Sequence, residues 1–287
     1  MVASSATFLF ASSFAASALG GALGMASGIF IVPILVLFAG IGLHAAVAAS
    51  LVSVIACSCA SAAPFLRAGL TNIRLALVLE TATTSGALCG VWLAGVVPVR
   101  ALYLLFAAIL ALSAWQMAAG RRAVAPVADD RASRRGWAEV LGLHGAYPGP
   151  GAGETVTYRV TRLPAGLALM GGAGLVSALL GIGSGVLKIP AMDAALRLPI
   201  KVSSATSSFM IGVTAAASAV AYYMRGEIDP ALAGPVALGS VIGALAGARL
   251  LIAVPAGTLR RLFVVVLVAL AGQMLLAAFG VRFGGAG

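Results

Sequence analysis

A chain of 287 residues that is 61% hydrophobic and only 9% charged is no soluble globule, whose charged share is nearer ~25%. It reads as an all-α polytopic membrane protein with the lipid bilayer as its solvent. The net charge of +10 does not point to nucleic acid, because the arginines gather at the ends of apolar segments and in one central loop, as they do around membrane spans.

Apolar stretches that suit a spanning helix of roughly 20 residues run, in chain order, from Thr7 to Met25, His44 to Phe65, Ile73 to Val96 and Arg100 to Ala118. After a polar gap come Pro164 to Leu180, Lys201 to Met224, Pro230 to Ile252 and Thr258 to Phe279. Two shorter apolar arms, Ile29 to Ala39 and Val186 to Leu196, follow glycine-rich breaks. No basic residue precedes the first segment, so it is expected to stay rather than be cleaved as a signal peptide. Cys57, Cys59 and Cys89 lie inside apolar segments at spacings that make no metal set, and no metal or cofactor is expected.

The gap from Gly120 to Leu163 holds Arg121, Arg122, Asp129, Asp130, Arg131, Arg134 and Arg135. Residues then alternate around Leu141 and from Thr155 to Thr161, on either side of Tyr147-Pro148-Gly149-Pro150-Gly151. That pattern predicts a small β-hairpin, placed in the cytoplasm by its arginines. A hairpin alone is marginally stable, so it should pack on the membrane domain or on a second subunit of a homo-oligomer.

The two halves repeat each other. Gly24-Met25-Ala26-Ser27-Gly28 leads to Pro33, and Gly181-Ile182-Gly183-Ser184-Gly185 leads to Pro190, 157 residues later. The same offset maps Ser50 onto Ser207, Gly69 onto Gly226, Gly86 onto Gly243, Gly90 onto Gly247, Pro98 onto Pro255 and Gln116 onto Gln273. The expected organisation is a first membrane repeat over 1–120, the central loop over 121–163 and a second repeat over 164–287. Each repeat carries about four hydrophobic segments, the first broken by the Gly/Pro motif. Matched breaks of this kind point to a central binding site in transporters.

A break inside the membrane exposes N–H groups that lipid cannot satisfy, so they must face protein, water or a ligand. The helix restarting near Gly28 or Gly185 would turn its positive dipole end toward an anion. Gly20, Gly24 and Gly28, like Ser177, Gly181 and Gly185, also recur every four residues, the pattern of tight helix packing. Both roles fit. Lys188, three residues past Gly185, is an ammonium in an apolar run, which costs roughly 2.5–3.5 kcal/mol to insert and needs an interior partner. It would hold an anion, or pair with Asp193, or snorkel to the surface. Ser203, Ser204, Thr206, Ser207 and Ser208 crowd the start of one segment, opposite Ser50 and Ser53, as a second wall of the site or as interhelical hydrogen bonds. Glu80 and Asp193 are candidates for coupling to a proton or sodium ion, the alternative for Glu80 being a salt bridge with an arginine. No nucleophile elbow, HExxH or P-loop is present, and the chain is not read as an enzyme.

Charge also votes on topology. If the broken segments cross straight, the halves are parallel and the short-loop positive residues divide almost evenly. If each broken segment folds back, the halves are inverted, and Arg67, Arg74, Arg197, Lys201, Arg260 and Arg261 fall inside against Arg100, Arg225 and Arg282 outside. The positive-inside bias favours inversion.

Gly181-Ile182-Gly183-Ser184-Gly185 through Pro190, Lys201 through Ser207, Gly226-Glu227-Ile228-Asp229 and Gly243 through Arg249 resemble the sulfite exporter TauE/SafE family of bacterial permeases. The first half departs from the pattern, with Gly24-Met25-Ala26-Ser27-Gly28 in place of the glycine run and Ala49-Ser50 in place of Ala-Thr-Ser. The resemblance implies a multi-pass permease of the cytoplasmic membrane for a small anion such as a sulfur oxyanion or organosulfonate. It carries functional positions onto Gly28, Pro33, Gly181, Gly185, Pro190, Thr206 and Ser207. The substrate site expected from all these features comprises Gly28, Pro33, Ser50, Gly181, Gly183, Gly185, Lys188, Pro190, Ser203, Thr206 and Ser207. A passive anion channel and a membrane anchor subunit for a partner are the alternatives.

Overall fold

The computed structural model describes residues 6–22, 27–118, 137–148, 155–253 and 256–279. Gly24-Met25-Ala26, the arginines from Arg121 to Arg135, the hairpin tip at Gly149-Pro150-Gly151, Pro255, Arg282 and the side chains of Arg249, Arg260 and Arg261 lie outside the described residues.

The first half contributes α1 (Ala6–Ala22), α2 (Gly28–Leu37), α3 (Leu43–Arg67), α4 (Ile73–Ala94) and α5 (Val99–Ala118). A one-turn helix α6 (Trp137–Val140) leads to an antiparallel pair, β1 (Gly145–Pro148) and β2 (Thr155–Tyr158), in which Gly145 faces Tyr158 and Pro148 faces Thr155. Then come α7 (Leu163–Leu180), α8 (Gly185–Leu196), α9 (Ile200–Met224), α10 (Pro230–Ala253) and α11 (Ala256–Ala278). The hairpin forms with a different first strand from the alternation expected around Leu141. Trp137–Val140 closes a helical turn that Gly142, in the left-handed region at φ 59°, ends, so pairing starts only at Gly145.

Among the described residues six helices are long and apolar enough to cross a membrane: Leu43–Arg67, Ile73–Ala94, Val99–Gln116, Leu163–Leu180, Lys201–Met224 and Pro230–Gly247. Their outward faces carry Leu77, Leu88, Trp92, Trp115, Val220 and Leu238, side chains suited to lipid rather than water. The first residues of α2, α3, α4 and α5 and those of α8, α9, α10 and α11 are each 157 residues apart.

The halves interlock. α1 lies along α10 and α7 along α4, while α3 meets α9 and α5 meets α11. Small residues permit the two closest approaches: a Cβ on Gly86 would overlap the Gly171 carbonyl, one on Gly90 the Leu175 carbonyl, and one on Gly174 the Thr83 carbonyl. On the other side Gly239, Gly243 and Gly247 meet the backbone carbonyls of Phe10, Phe14 and Ala18 in the same way. Lipid supplies no hydrophobic drive between helices, so this backbone-to-backbone contact is what joins them.

α4 and α9 run parallel. The Asn72 N–H meets Thr206 Oγ1 at 3.2 Å, Thr214 meets Glu80, and the Arg225 guanidinium donates to the Val91 carbonyl at 2.8 Å, all three pairs separated by 134 residues.

Because the space beside Gly86 is filled by backbone, Gly86→Ala should destabilise the protein by about 1–3 kcal/mol. Gly234→Ala, which points into open space, should leave the melting temperature unchanged or slightly raised. Thermal melts of the two variants in detergent check this.

Candidate functional site: a buried ion pair beside a helix break

α7 stops where Gly181 takes the left-handed conformation at φ 61°, and Gly183 repeats it at φ 70° before α8 starts at Gly185. Glycine alone adopts this backbone without strain. The Ser50 hydroxyl donates to the Gly181 carbonyl at 2.8 Å, so α3 satisfies an acceptor that the break has freed. Gly28, the first residue of α2, packs on the same spot: a Cβ there would overlap the Gly181 carbonyl and lie 2.8 Å from Ser50 Oγ. The two breaks therefore touch inside the protein.

One turn beyond Ser184, which precedes α8, Lys188 is fully buried. Its Nζ donates to Glu80 Oε2 at 3.3 Å and to Thr214 Oγ1 at 2.6 Å. The Thr214 hydroxyl passes its proton on to Glu80 Oε1 at 2.5 Å, and Thr84 reaches the same oxygen at 3.2 Å. This is the one ion pair among the described residues, and it ties α8 and α9 to α4. An ammonium has three protons to donate. Two meet partners here, and the third meets none among the described residues.

Hydroxyls extend the site. Ser203, Ser207 and Thr214 recur at i, i+4 and i+11, which sets them on one face of α9, and Ser184 and Lys188 share a face of α8. Ser184, Ser203 and Ser207 are buried, and their hydroxyls have no partner among the described residues. The first half is different. Ser240 donates to the Val236 carbonyl at 2.7 Å, so in the chain Ser27···Ser53···Ser240, at 2.9 and 2.5 Å, Ser53 must donate to Ser240 and Ser27 to Ser53. The Ser27 and Ser53 protons thus join the start of α2 to α3 and α3 to α10, and the Ser240 proton returns to its own helix.

Of the residues singled out in the sequence, the structure gathers Lys188 with Glu80, and Gly28 with Gly181 and Ser50. Gly183 and Gly185 line the break, Pro33 is buried in α2 and Pro190 is half-buried in α8. Two readings need correction. The partner of Lys188 is Glu80, not Asp193, which is half-buried on α8 and has no partner among the described residues. The partner of Glu80 is accordingly a lysine rather than an arginine. Thr206 accepts from the Asn72 backbone N–H.

Sequence reasoning missed Thr214, Ser184 and Asn72. The first two had signals, Thr214 in its stripe with Ser203 and Ser207, and Ser184 inside the break motif. Asn72 is the start of α4. Its Oδ1 accepts from the Leu75 N–H at 3.0 Å, and its Nδ2 donates to the Leu143 carbonyl and to the Tyr158 hydroxyl, each at 2.9 Å. Tyr158, Leu143 and Val160 thereby enter a core with Leu75, Leu79, Met192, Leu196 and Val202. Burial holds the Tyr158 phenol above its ordinary pKa, the Asn72 donor pulling the other way. The hairpin is thus docked on the end of the bundle where α4, α8 and α9 meet.

The sequence model of the family described as Sulfite exporter TauE/SafE matches residues 9–274 of the 287. The chain belongs to this family, one of membrane transporters, and is a multi-pass membrane protein. No curated protein and no solved structure matches it.

Asn72→Ala removes a helix cap and both side-chain bonds to the hairpin. It should cost about 1 kcal/mol through the cap alone and speed amide exchange over 155–158, while exchange at the α7–α10 helix centres stays slow. Hydrogen-exchange mass spectrometry reads both regions at once.

Proposed function

We propose, taking membership of the TauE/SafE family as the premise, that the protein is a secondary transporter that binds a small sulfur oxyanion or organosulfonate between its two halves. The observation that carries the reading is a fully buried ammonium with one proton unmatched among the described residues, with Ser184 one turn before it and with Ser203 and Ser207, buried hydroxyls that have no partner among the described residues, on the face of α9 that carries its partner Thr214. Such groups are donors without acceptors, and an oxyanion is the complement they call for. The start of α8 adds its free N–H groups and its positive dipole end, one turn before Lys188. Ser184, Lys188, Ser203 and Ser207 would be the direct contacts. Gly28, Gly181, Gly183, Gly185 and Ser50 would shape the break that admits the anion, with Pro33 and Pro190 in the arms behind it. Thr206 would hold the wall in place through Asn72.

Alternating access by movement of one half against the other fits an inverted arrangement. α3 and α4, consecutive spans joined by residues 68–72, run in opposite directions, and α4 runs with α9. α3 therefore runs against α9, its counterpart at the 157-residue offset. Inversion would also put Arg67, Arg74, Arg197 and Lys201 on one side with the hairpin, a reading supported by the Arg74 guanidinium against Gly142 and by the Thr161 N–H, which meets the Leu196 carbonyl at 3.4 Å. The positive-inside bias makes that side cytoplasmic.

Thermal stability of the purified protein against sulfite, sulfate, thiosulfate, sulfoacetate and acetate tests the reading, since a ligand of the folded state raises the melting temperature. A sulfur anion should give a saturable shift, and Lys188→Met should raise its half-saturation concentration more than about tenfold, the worth of one charge-assisted hydrogen bond or more. The double variant Lys188→Met/Glu80→Gln, which leaves no unpaired carboxylate, should behave the same. Equal affinity in the double variant and the wild type would remove Lys188 from the site.

A further inference from the structure

We infer that Glu80 is the coupling group, releasing Lys188 to the incoming anion by taking up one proton, so that anion and proton cross together as an electroneutral pair. The inference rests on the anion site proposed above and goes on to what drives it.

Charge buried away from solvent has to balance. With the site empty, Lys188 and Glu80 cancel, and the pair lies buried with Thr214 and Thr84 completing the carboxylate's contacts. An anion arriving at Lys188 would bring the cluster to one net negative charge. A net charge buried in low dielectric costs several kcal/mol and is ordinarily removed by a shift in protonation. The group that can absorb it is Glu80. α7, which packs on α4, has no titratable side chain between Leu163 and Leu180. On α9, also packed on α4, Lys201 lies at the start and Tyr222 and Tyr223 at the far end, so Thr214 is what faces the carboxylate. α8 brings Lys188, with Asp193 more than a turn further on. On α4 itself Arg74 is six residues away, against Gly142, and the Tyr158 phenol is engaged at Asn72.

Once protonated, Glu80 needs no counter-charge, and Thr214, released as a donor to it, can still accept from it. The proton comes from the side to which the site is open and leaves on the other. The empty state (Lys⁺, Glu⁻) and the loaded state (Lys⁺, anion, neutral Glu) both carry zero net charge. Either half-loaded state carries one uncompensated charge through the protein interior, and that penalty enforces the coupling.

Proteoliposomes and labelled sulfite test this. In the wild type an imposed pH gradient should concentrate sulfite toward the alkaline side, about tenfold per pH unit for one proton per singly charged anion, and an imposed membrane potential at equal pH should not. Glu80→Gln should still shift in melting temperature with sulfite and still exchange labelled for unlabelled sulfite, since its loaded state remains neutral. It should no longer concentrate sulfite, since its empty state must return with Lys188 uncompensated. Should Glu80→Gln fold poorly, Lys188→Gln/Glu80→Gln, neutral when empty, should likewise lose all response to the pH gradient. Accumulation driven by pH in either variant, or wild-type accumulation that follows the potential, would overturn the coupling role while leaving the anion site standing. No sulfite shift and no sulfite exchange in the wild type would count against the anion reading itself, and this inference with it.

Discussion

An ammonium group sealed among helices in a membrane protein has to find negative charge or oxygen, and the way Lys188 does so organises the molecule. Its partners come from outside its own helix, Glu80 from α4 and Thr214 from α9. The ion pair can form only when the first half and the second are in contact. Removing one member alone would leave a buried charge uncompensated, at about 3–5 kcal/mol. The position of Lys188 is set in turn by the break. α8 restarts at Gly185 after two left-handed glycines, so the ammonium falls one turn inside a new helix and near its positive end.

The same scaffold is used differently in its two halves. At the 157-residue offset, Lys188, Glu80 and Thr214 correspond to Ile31, Ala237 and Cys57. The first half answers with an apolar α2 and a serine chain in which Ser27 and Ser53 donate from α2 toward α3 and from α3 to α10. Its Ser50 donates to the Gly181 carbonyl, whereas the counterpart Ser207 has no partner among the described residues.

Much of this was legible in the sequence because a membrane narrows the alternatives. Apolar runs and breaks marked by Gly and Pro give expected starts at Ile29, His44, Ile73 and Arg100 and again at Val186, Lys201, Pro230 and Thr258, within two residues of the helix starts at Gly28, Leu43, Ile73, Val99, Gly185, Ile200, Pro230 and Ala256. Lys188 stood out by its cost. Its partner did not: Glu80 is 108 residues away, and no periodicity links positions on different helices. Thr214 shares a stripe with Ser203 and Ser207, but the stripe alone does not single it out as the residue that meets Lys188. Asn72 carries only a local signal, that of a helix cap, while its contacts with the hairpin depend on tertiary packing. The shift of the first strand from Leu141 to Gly145 has a local cause, the single turn over Trp137–Val140.

In the proposed cycle an anion replaces Glu80 on Lys188, and a bound proton neutralises the displaced carboxylate. Calorimetric titration of the purified protein with sulfite, in buffers of different ionisation enthalpy at one pH where the empty pair is charged, counts protons taken up on binding. Binding should be saturable, with uptake of about one proton per anion beyond what the sulfite itself exchanges, falling to about zero in Glu80→Gln. Binding with no proton uptake by the wild type, or with uptake that survives in Glu80→Gln, would contradict it.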